Sequence, residues 1–261
     1  MVAILSDKKE FIFEAVQNMY TDVACHPDKV FHFPTGRQAC LFVGYPAAEL
    51  DAIPATAVES FAGVGYPFGA AVMHTGHHVL DIGSGSGTDV LISALKVGPQ
   101  GRVVGLDMTQ AMLDKLRANI GQMGVSYVQA IEGNAEAIPL PDQSIDIVTS
   151  NGVLNLVPDK LCAFTEILRV LKPGGAIQIA DIVLNQPISE KSRQNPQLWA
   201  ECIVGATLEM DYLNLFKSAG FTGIEVLTRF DYFAGSTSAA TRQAAQSFGA
   251  QSIVLRGRKP H

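Results

Sequence analysis

From residue 79 onward, short apolar runs alternate with amphipathic stretches. Residues 79–82, 102–106, 127–131, 145–149 and 176–180 read as buried strands, because each is a β-branched or aliphatic run bounded by turn residues. Helices are predicted between them: from Thr88 to just before Gly98-Pro99, from about Thr109 to Gln122, and from Pro158-Asp159 onward. The last carries an apolar stripe of Leu161, Phe164, Leu168 and Leu171, and Lys172-Pro173-Gly174-Gly175 is expected to stop it. A helix over 211–219 closed by Gly220, a strand over 224–229 and a final strand over 252–255 complete the series. Strand-helix alternation of this kind predicts an α/β fold with a seven-stranded, mostly parallel sheet covered by helices on both faces.

Two regions break the alternation. Residues 184–210 contain Pro187, Pro196 and Trp199 and are expected to form a lid insertion. Near the start, a helix over 8–23 with Phe11, Ala15 and Met19 on one side leads into a Gly/Pro/aromatic region, 31–69, expected to wrap the edge of an active site. The expected organisation is an N-terminal helical cap, 1–75, followed by a ligand-binding domain, 76–261.

Composition narrows the partners. The chain has 261 residues, 48% of them apolar, and a net charge of −6. That is enough for one α/β domain with an added cap, and it lacks the basic face that nucleic acid requires. The basic tail Arg256-Gly257-Arg258-Lys259 reads as a solvated terminus. Four cysteines, at 25, 40, 162 and 202, form no CxxC pair and suggest no disulfide framework. The apolar run 2–5 is short for a secretory signal, and no run reaches the about 18 apolar residues of a membrane span. A cytoplasmic protein with neither membrane nor nucleic-acid partner is expected.

The richest chemistry lies at Leu80-Asp81-Ile82-Gly83-Ser84-Gly85-Ser86-Gly87-Thr88-Asp89, a strand turning through alternate glycines into a helix. Gly83, Gly85 and Gly87 let the backbone pass close under a ligand. A dinucleotide fingerprint would place a third glycine at 88, where Thr88 stands. A P-loop would need a lysine, and no Lys or Arg lies between His78 and Lys96. A nucleoside without phosphate suits the turn better.

Ligands of a doubly wound sheet sit beyond the carboxyl ends of its strands. There Asp107 can accept ribose hydroxyls, and Met108 can pack on an adenine face. Asn134 and Ala135 can read adenine nitrogens, while Ser150 and Asn151 follow the fourth strand. The Asp-x-Gly-x-Gly-x-Gly turn, residues 81–87, resembles the first motif of the class I S-adenosylmethionine-dependent methyltransferases. The resemblance implies a Rossmann-like fold and S-adenosylmethionine as cofactor, with Asp81, Gly83, Ser84, Gly85, Gly87, Asp107, Met108, Asn134, Ala135 and Asn151 around it. It also implies that Tyr20 closes over the cofactor.

A narrower likeness follows from three runs. Residues 150–160 (Ser-Asn-Gly-Val-Leu-Asn-Leu-Val-Pro-Asp-Lys), 169–175 (Arg-Val-Leu-Lys-Pro-Gly-Gly) and 198–206 (Leu-Trp-Ala-Glu-Cys-Ile-Val-Gly-Ala) resemble the arsenite methyltransferases. That family captures trivalent arsenic with cysteine thiolates, soft ligands for a soft centre. In this chain the family's Ser-Asn-Cys stands as Ser150-Asn151-Gly152, and its Gly-Cys-Gly as Gly63-Val64-Gly65. Val64 and Gly152 therefore replace two family cysteines. Cys202 is retained beside Glu201, both candidate catalytic residues, and Cys25 is a candidate match to an N-terminal cysteine.

Methyl transfer needs an acceptor held in line with the leaving sulfur more than it needs a strong base. A small-molecule acceptor is expected: a thiol, arsenic(III), or an aromatic or heterocyclic metabolite. If a base is used, Glu201, Asp181 and His32 are candidates; Arg37 is a candidate partner for an acidic substrate or the cofactor carboxylate. Cys25, His26, His32 and Cys40 fit no standard zinc spacing, and His74, His77 and His78 read as turn residues. A non-catalytic binder of cofactor or metalloid and a nicotinamide oxidoreductase are the alternative classes; Thr88 weighs against the latter.

Overall fold

The computed structural model describes residues 6–188 and 203–261. Four helices come first: α1 (Ser6–Cys25), α2 (Gly36–Phe42), α3 (Ala47–Asp51) and α4 (Ala55–Val58), followed by a 3-10 turn at Pro67–Ala70. Then β1 (His78–Ile82), α5 (Thr88–Val97), β2 (Arg102–Asp107), α6 (Gln110–Met123), β3 (Val128–Glu132) and β4 (Ile145–Asn151) alternate. A 3-10 turn at Leu154–Leu156 leads to α7 (Lys160–Val170) and β5 (Leu171–Leu184). After residue 203 come β6 (Thr207–Leu208), α8 (Glu209–Ala219), β7 (Thr222–Phe230), a 3-10 turn at Tyr232–Gly235, α9 (Ala239–Phe248) and β8 (Gln251–Arg258).

The strands form one sheet in the order β3-β2-β1-β4-β5-β8-β7, with the two-residue β6 beside the end of β5. β8 runs antiparallel between β5 and β7; the pairings of β1 through β5 are parallel. The sheet thus has one short strand more than the seven expected, because the far end of β5 offers a free edge that Thr207 and Leu208 fill. Central strands are buried on both faces, which is why they read as continuous apolar runs. On one face Leu80, Val104, Val148 and Ile177 meet Phe164 of α7 and Phe216 of α8, whose rings stack with centroids 4.0 Å apart. On the other, Val79, Val103 and Ile147 meet Val90, Ala94 and Val97 of α5.

Helix boundaries follow local chemistry. Asp159 caps α7 by accepting a bond from the Cys162 N–H at 3.0 Å, and Gly220, in the left-handed region, closes α8. Pro173-Gly174-Gly175 does not separate helix from strand as expected: α7 passes directly into β5 at Leu171, and the irregular pairing with β4 absorbs the proline and glycines. Nor is the basic tail a solvated terminus. Arg256 pairs with Glu225 across β8 and β7, and Lys259 donates to the carbonyls of Leu168 and Leu171. The pattern of residues 239–248 escaped prediction because α9 buries only Ala245; Ser238 caps it. The expected lid, 184–210, lies largely in 189–202, outside the described residues; Ile203, Val204 and Ala206 at its end are buried.

The N-terminal elements are fastened to the sheet domain rather than hung from it. Ser86 Oγ and Thr88 Oγ1 both donate to the Ala57 carbonyl, at 2.7 and 2.8 Å, so the turn after β1 holds α4. Asn119 of α6 donates to Ser86 O at 2.9 Å and accepts from Thr56. Lys96–Glu49 and Lys115–Glu59 add ion pairs at 2.6 Å each.

Gly87 caps α5 with φ at +107°, and a Cβ there would lie 2.6 Å from Leu116 Cδ1. Gly87→Ala is expected to destabilise the protein by roughly 2–4 kcal/mol, from the backbone penalty plus overpacking against α6. Urea unfolding measures this; an unchanged midpoint would show that the turn has another way to settle.

Candidate active site

Strand order reverses between β1 and β4, where a crevice opens beyond the strand ends. It holds an open cavity whose empty space, the solvent at its mouth included, is about 1000 Å³. Residues 81–86 form one wall, residues 106–109 after β2 and 133–135 after β3 a second, and 151–153 with Leu156 and Val157 a third. The N-terminal region closes the space with Phe13, Val16 and Tyr20 of α1 and residues 60–63.

The glycine wall is held by backbone donors meeting buried acceptors. Gly83 N and Ser84 N both donate to Leu106 O, at 2.8 and 3.0 Å. Gly83 has φ +70°, and a Cβ there would overlap Val153 at 2.2 Å, so only glycine lets the turn meet the loop after β4. Asp107 accepts the Gly85 N–H on one oxygen and the Thr109 N–H on the other, each at 2.8 Å. Its carboxylate thereby joins the glycine turn to the start of α6, on the cavity wall. Burial nonetheless raises its pKa, with those N–H groups opposing.

Two polar groups on the same wall are left over. Among the described residues the buried Ser84 hydroxyl has no hydrogen-bond partner, and neither does the Asp81 carboxylate, whose residue is only 2% exposed. Burial, with Asp89 and Asp107 nearby, pushes the Asp81 carboxyl well above the usual range. Burial likewise raises Asp89 to about 6, against bonds from Tyr45 and Asn151 that favour its charged form. Among the described lining residues there is no Lys, Arg or His. The cavity thus presents Asp81, Asp89 and Asp107 with no opposite charge, and a cationic ligand would relieve all three.

Of the residues expected around the cofactor, Tyr20, Asp81, Gly83, Ser84, Gly85, Asp107, Met108, Asn134, Ala135 and Asn151 all line this cavity. Gly87 stands behind the wall, against Leu116. Asn151 is occupied by the protein: its oxygen accepts from Val64 N at 2.7 Å and Gly65 N at 3.1 Å, and its Nδ2 donates to Tyr45, Gly65 O and Asp89. It fastens the 63–65 segment to the end of β4. Asn134 Oδ1 accepts from Glu136 N at 2.9 Å, shaping the turn beneath Ala135. Gln17 Nε2 donates to Met108 O at 2.7 Å, and Lys9 pairs with Glu136; α1 thus spans two walls.

Other candidates lie elsewhere. Asp181 does not reach the cavity: fully buried, it accepts from Tyr212 Oη at 2.6 Å and from Asn155 N and Ile182 N at 2.9 Å each, bracing the loop after β4 from behind. His32 is also off the wall, edge-on to Phe33 at 4.7 Å between centroids. Arg37 pairs with Asp51 at 2.5 Å on the surface, not with anything in the site. Cys25 is exposed and Cys40 buried, with burial raising the Cys40 thiol. His74 and His77 share a turn, His74 N donating to His77 Nδ1. Among the described residues no group of three or more His, Cys, Asp or Glu is placed to hold a metal, and no helix is long and apolar enough to cross a membrane. Cys202 and Glu201 lie outside the described residues.

Sequence reasoning missed Asp89 and Tyr45, whose partnership spans 44 residues, and the apolar contributors Phe13, Val16, Phe61 and Ala62. An acid in the first turn after the glycines was a signal for Asp89; nothing local distinguishes the others from core residues.

Residues 73–220 match the Methyltransferase domain family. Among curated proteins, the arsenite methyltransferase of Halobacterium salinarum is 35% identical over 184 residues, 70% of this chain and 47% of that protein. That of Aquipseudomonas alcaligenes is 36% identical over 160 residues, 59% of this chain and 46% of that protein. The chain thus matches about half the length of these relatives. Among solved structures, an arsenic(III) S-adenosylmethionine methyltransferase from Chlamydomonas reinhardtii superimposes with a TM-score of 0.70 at 31% identity, covering 82% of this chain and 73% of that one.

Burial raises the Asp181 pKa from 3.8 to about 7, with the Tyr212, Ile182 and Asn155 bonds and Lys160 opposing. The folded state therefore binds the proton more tightly than the unfolded one, and this contribution to stability is lost as pH rises from about 4 through about 7. Asp181→Asn removes that dependence. Urea unfolding at pH 5 and pH 8 should show the variant gaining on the parent at the higher pH; a constant difference would mean that Asp181 titrates normally.

Proposed function

Because this chain belongs to the class I S-adenosylmethionine-dependent methyltransferases and is related to the arsenite methyltransferases, we propose that it transfers a methyl group from S-adenosylmethionine to a small-molecule acceptor. The observation that carries this reading is the glycine-turn cavity, whose buried Asp81 carboxylate and Ser84 hydroxyl have no hydrogen-bond partner among the described residues. S-Adenosylmethionine has a sulfonium and an ammonium for the carboxylates, ribose hydroxyls for Asp107, and a flat base for the space beside Met108 and Ala135. It would be held by Asp81, Ser84 and Gly85 at the turn, Asp107 and Met108 after β2, and Asn134 and Ala135 after β3, with Tyr20 above. When bound it supplies a methyl group activated by positive sulfur. The chain's own residues do the rest: the walls orient the acceptor, and Phe13, Val16 and Phe61 keep water out.

The acceptor side supports an altered specificity. Val64 and Gly152, which the resemblance sets in place of two family cysteines, are neighbours: a Cβ at 152 would lie 3.1 Å from Val64 Cγ1. Val64 is buried. In place of two thiols this spot offers methyl groups and a bare backbone, which do not ligate arsenic. Arsenite through Cys202 and another thiol, a free thiol, and an aromatic or heterocyclic metabolite are the acceptors to test. Incubation with S-adenosylmethionine and a panel of arsenite, thiols and small phenols, read as S-adenosylhomocysteine formed with methylated product, tests the proposal. Cofactor binding without turnover on any member would favour a non-catalytic binder.

Asp107→Ala removes a charged acceptor from both the turn and the ribose position. Its affinity for S-adenosylhomocysteine by calorimetry is expected to fall about 10–100-fold; equal affinity in a folded variant would remove Asp107 from the site.

A further inference from the structure

Resting on the methyl-transfer reading of this cavity, we propose that the site selects uncharged, apolar methyl acceptors and turns away molecules carrying a phosphate or carboxylate.

Three observations combine. First, the surfaces that the N-terminal region and the loop after β4 bring to the cavity are hydrocarbon: Phe13 and Val16 from α1, Phe61 and Ala62 before the 63–65 segment, and Leu156 and Val157. Second, the charged side chains among the described lining residues are Asp81, Asp89 and Asp107 alone. Third, the described lysines near the cavity are each held by a partner in the protein. Lys115 donates to Glu59 Oε1 at 2.6 Å and Ser60 Oγ at 2.8 Å, and Lys9 pairs with Glu136. Lys160 donates to the Val157 carbonyl at 3.0 Å from behind the wall, and Lys96 is held by Glu49 over the Phe68 ring.

An anionic acceptor would lose its hydration and gain no opposite charge from the described walls. The cofactor brings one carboxylate of its own, for which the Ser84 hydroxyl would be a donor. Among the described residues no Lys, Arg or His lines the hydrocarbon end. A neutral aromatic or aliphatic molecule meets no such penalty and gains from burying its surface there.

The test uses protein saturated with S-adenosylhomocysteine and three probes that share one naphthalene ring, 2-naphthol, 2-naphthoate and 2-naphthyl phosphate, titrated by calorimetry at pH 7. The neutral probe is expected to bind at least about tenfold more tightly than either anion. In Ala62→Lys, at a half-buried wall position, the gap should narrow or invert, because the new ammonium offers the missing charge. An anion that binds the parent protein as tightly as 2-naphthol, or a 2-naphthol that does not bind at all, overturns the inference. Failure of S-adenosylhomocysteine itself to bind is a different result: it removes the methyltransferase reading on which the inference rests.

Discussion

The carboxylate of Asp107 holds the site together. One oxygen takes the Gly85 N–H and the other the Thr109 N–H. The glycine turn is stable in its open form only while such acceptors meet its inward-facing donors, since its backbone runs through left-handed conformations that leave few internal bonds. Leu106 O, immediately before Asp107, takes two more of those donors. The end of β2 therefore sets the shape of the turn after β1, and the start of α6 follows from the same side chain. The glycine turn and the start of α6 are positioned relative to this contact.

Against that frame the charges are one-sided. A protein interior ordinarily pairs a buried carboxylate or protonates it, and Asp181 illustrates the first course with three donors. Asp89 has Tyr45 and Asn151. Asp81 has no hydrogen-bond partner among the described residues, and burial beside Asp89 and Asp107 favours its protonated form; stability alone gives no reason to keep it there. An acid of this kind facing an open crevice makes sense when an opposite charge that restores its ionisation arrives from solution.

The sheet was legible in the sequence because its central strands are buried on both faces and so appear as uninterrupted apolar runs; the β1, β2 and β4 runs needed no tertiary information. The glycine turn and Asp107 were legible because backbone geometry restricts which residues can stand there. Less visible were elements whose stability comes from distant contacts. α9 is polar on most of its surface, with Ala245 alone buried, and β6 exists only because β5 outruns its neighbour. Asn151 illustrates a different limit. Its place after β4 pointed to the cavity correctly, yet the sequence gives no sign that its amide is shared among Val64, Gly65, Tyr45 and Asp89, because those partners lie 62 or more residues away.

Ser86 and Thr88, which sit where a dinucleotide fold would tolerate or require other residues, send both hydroxyls to the single carbonyl of Ala57. The lever that shapes the floor of the pocket is thus also the bolt that fastens its roof. Recombining this chain with relatives to change what its pocket admits cannot treat residues before the sheet as an interchangeable module. A transplanted roof would have to present a carbonyl at the same point, or the two hydroxyls would be stranded and the floor would shift with them.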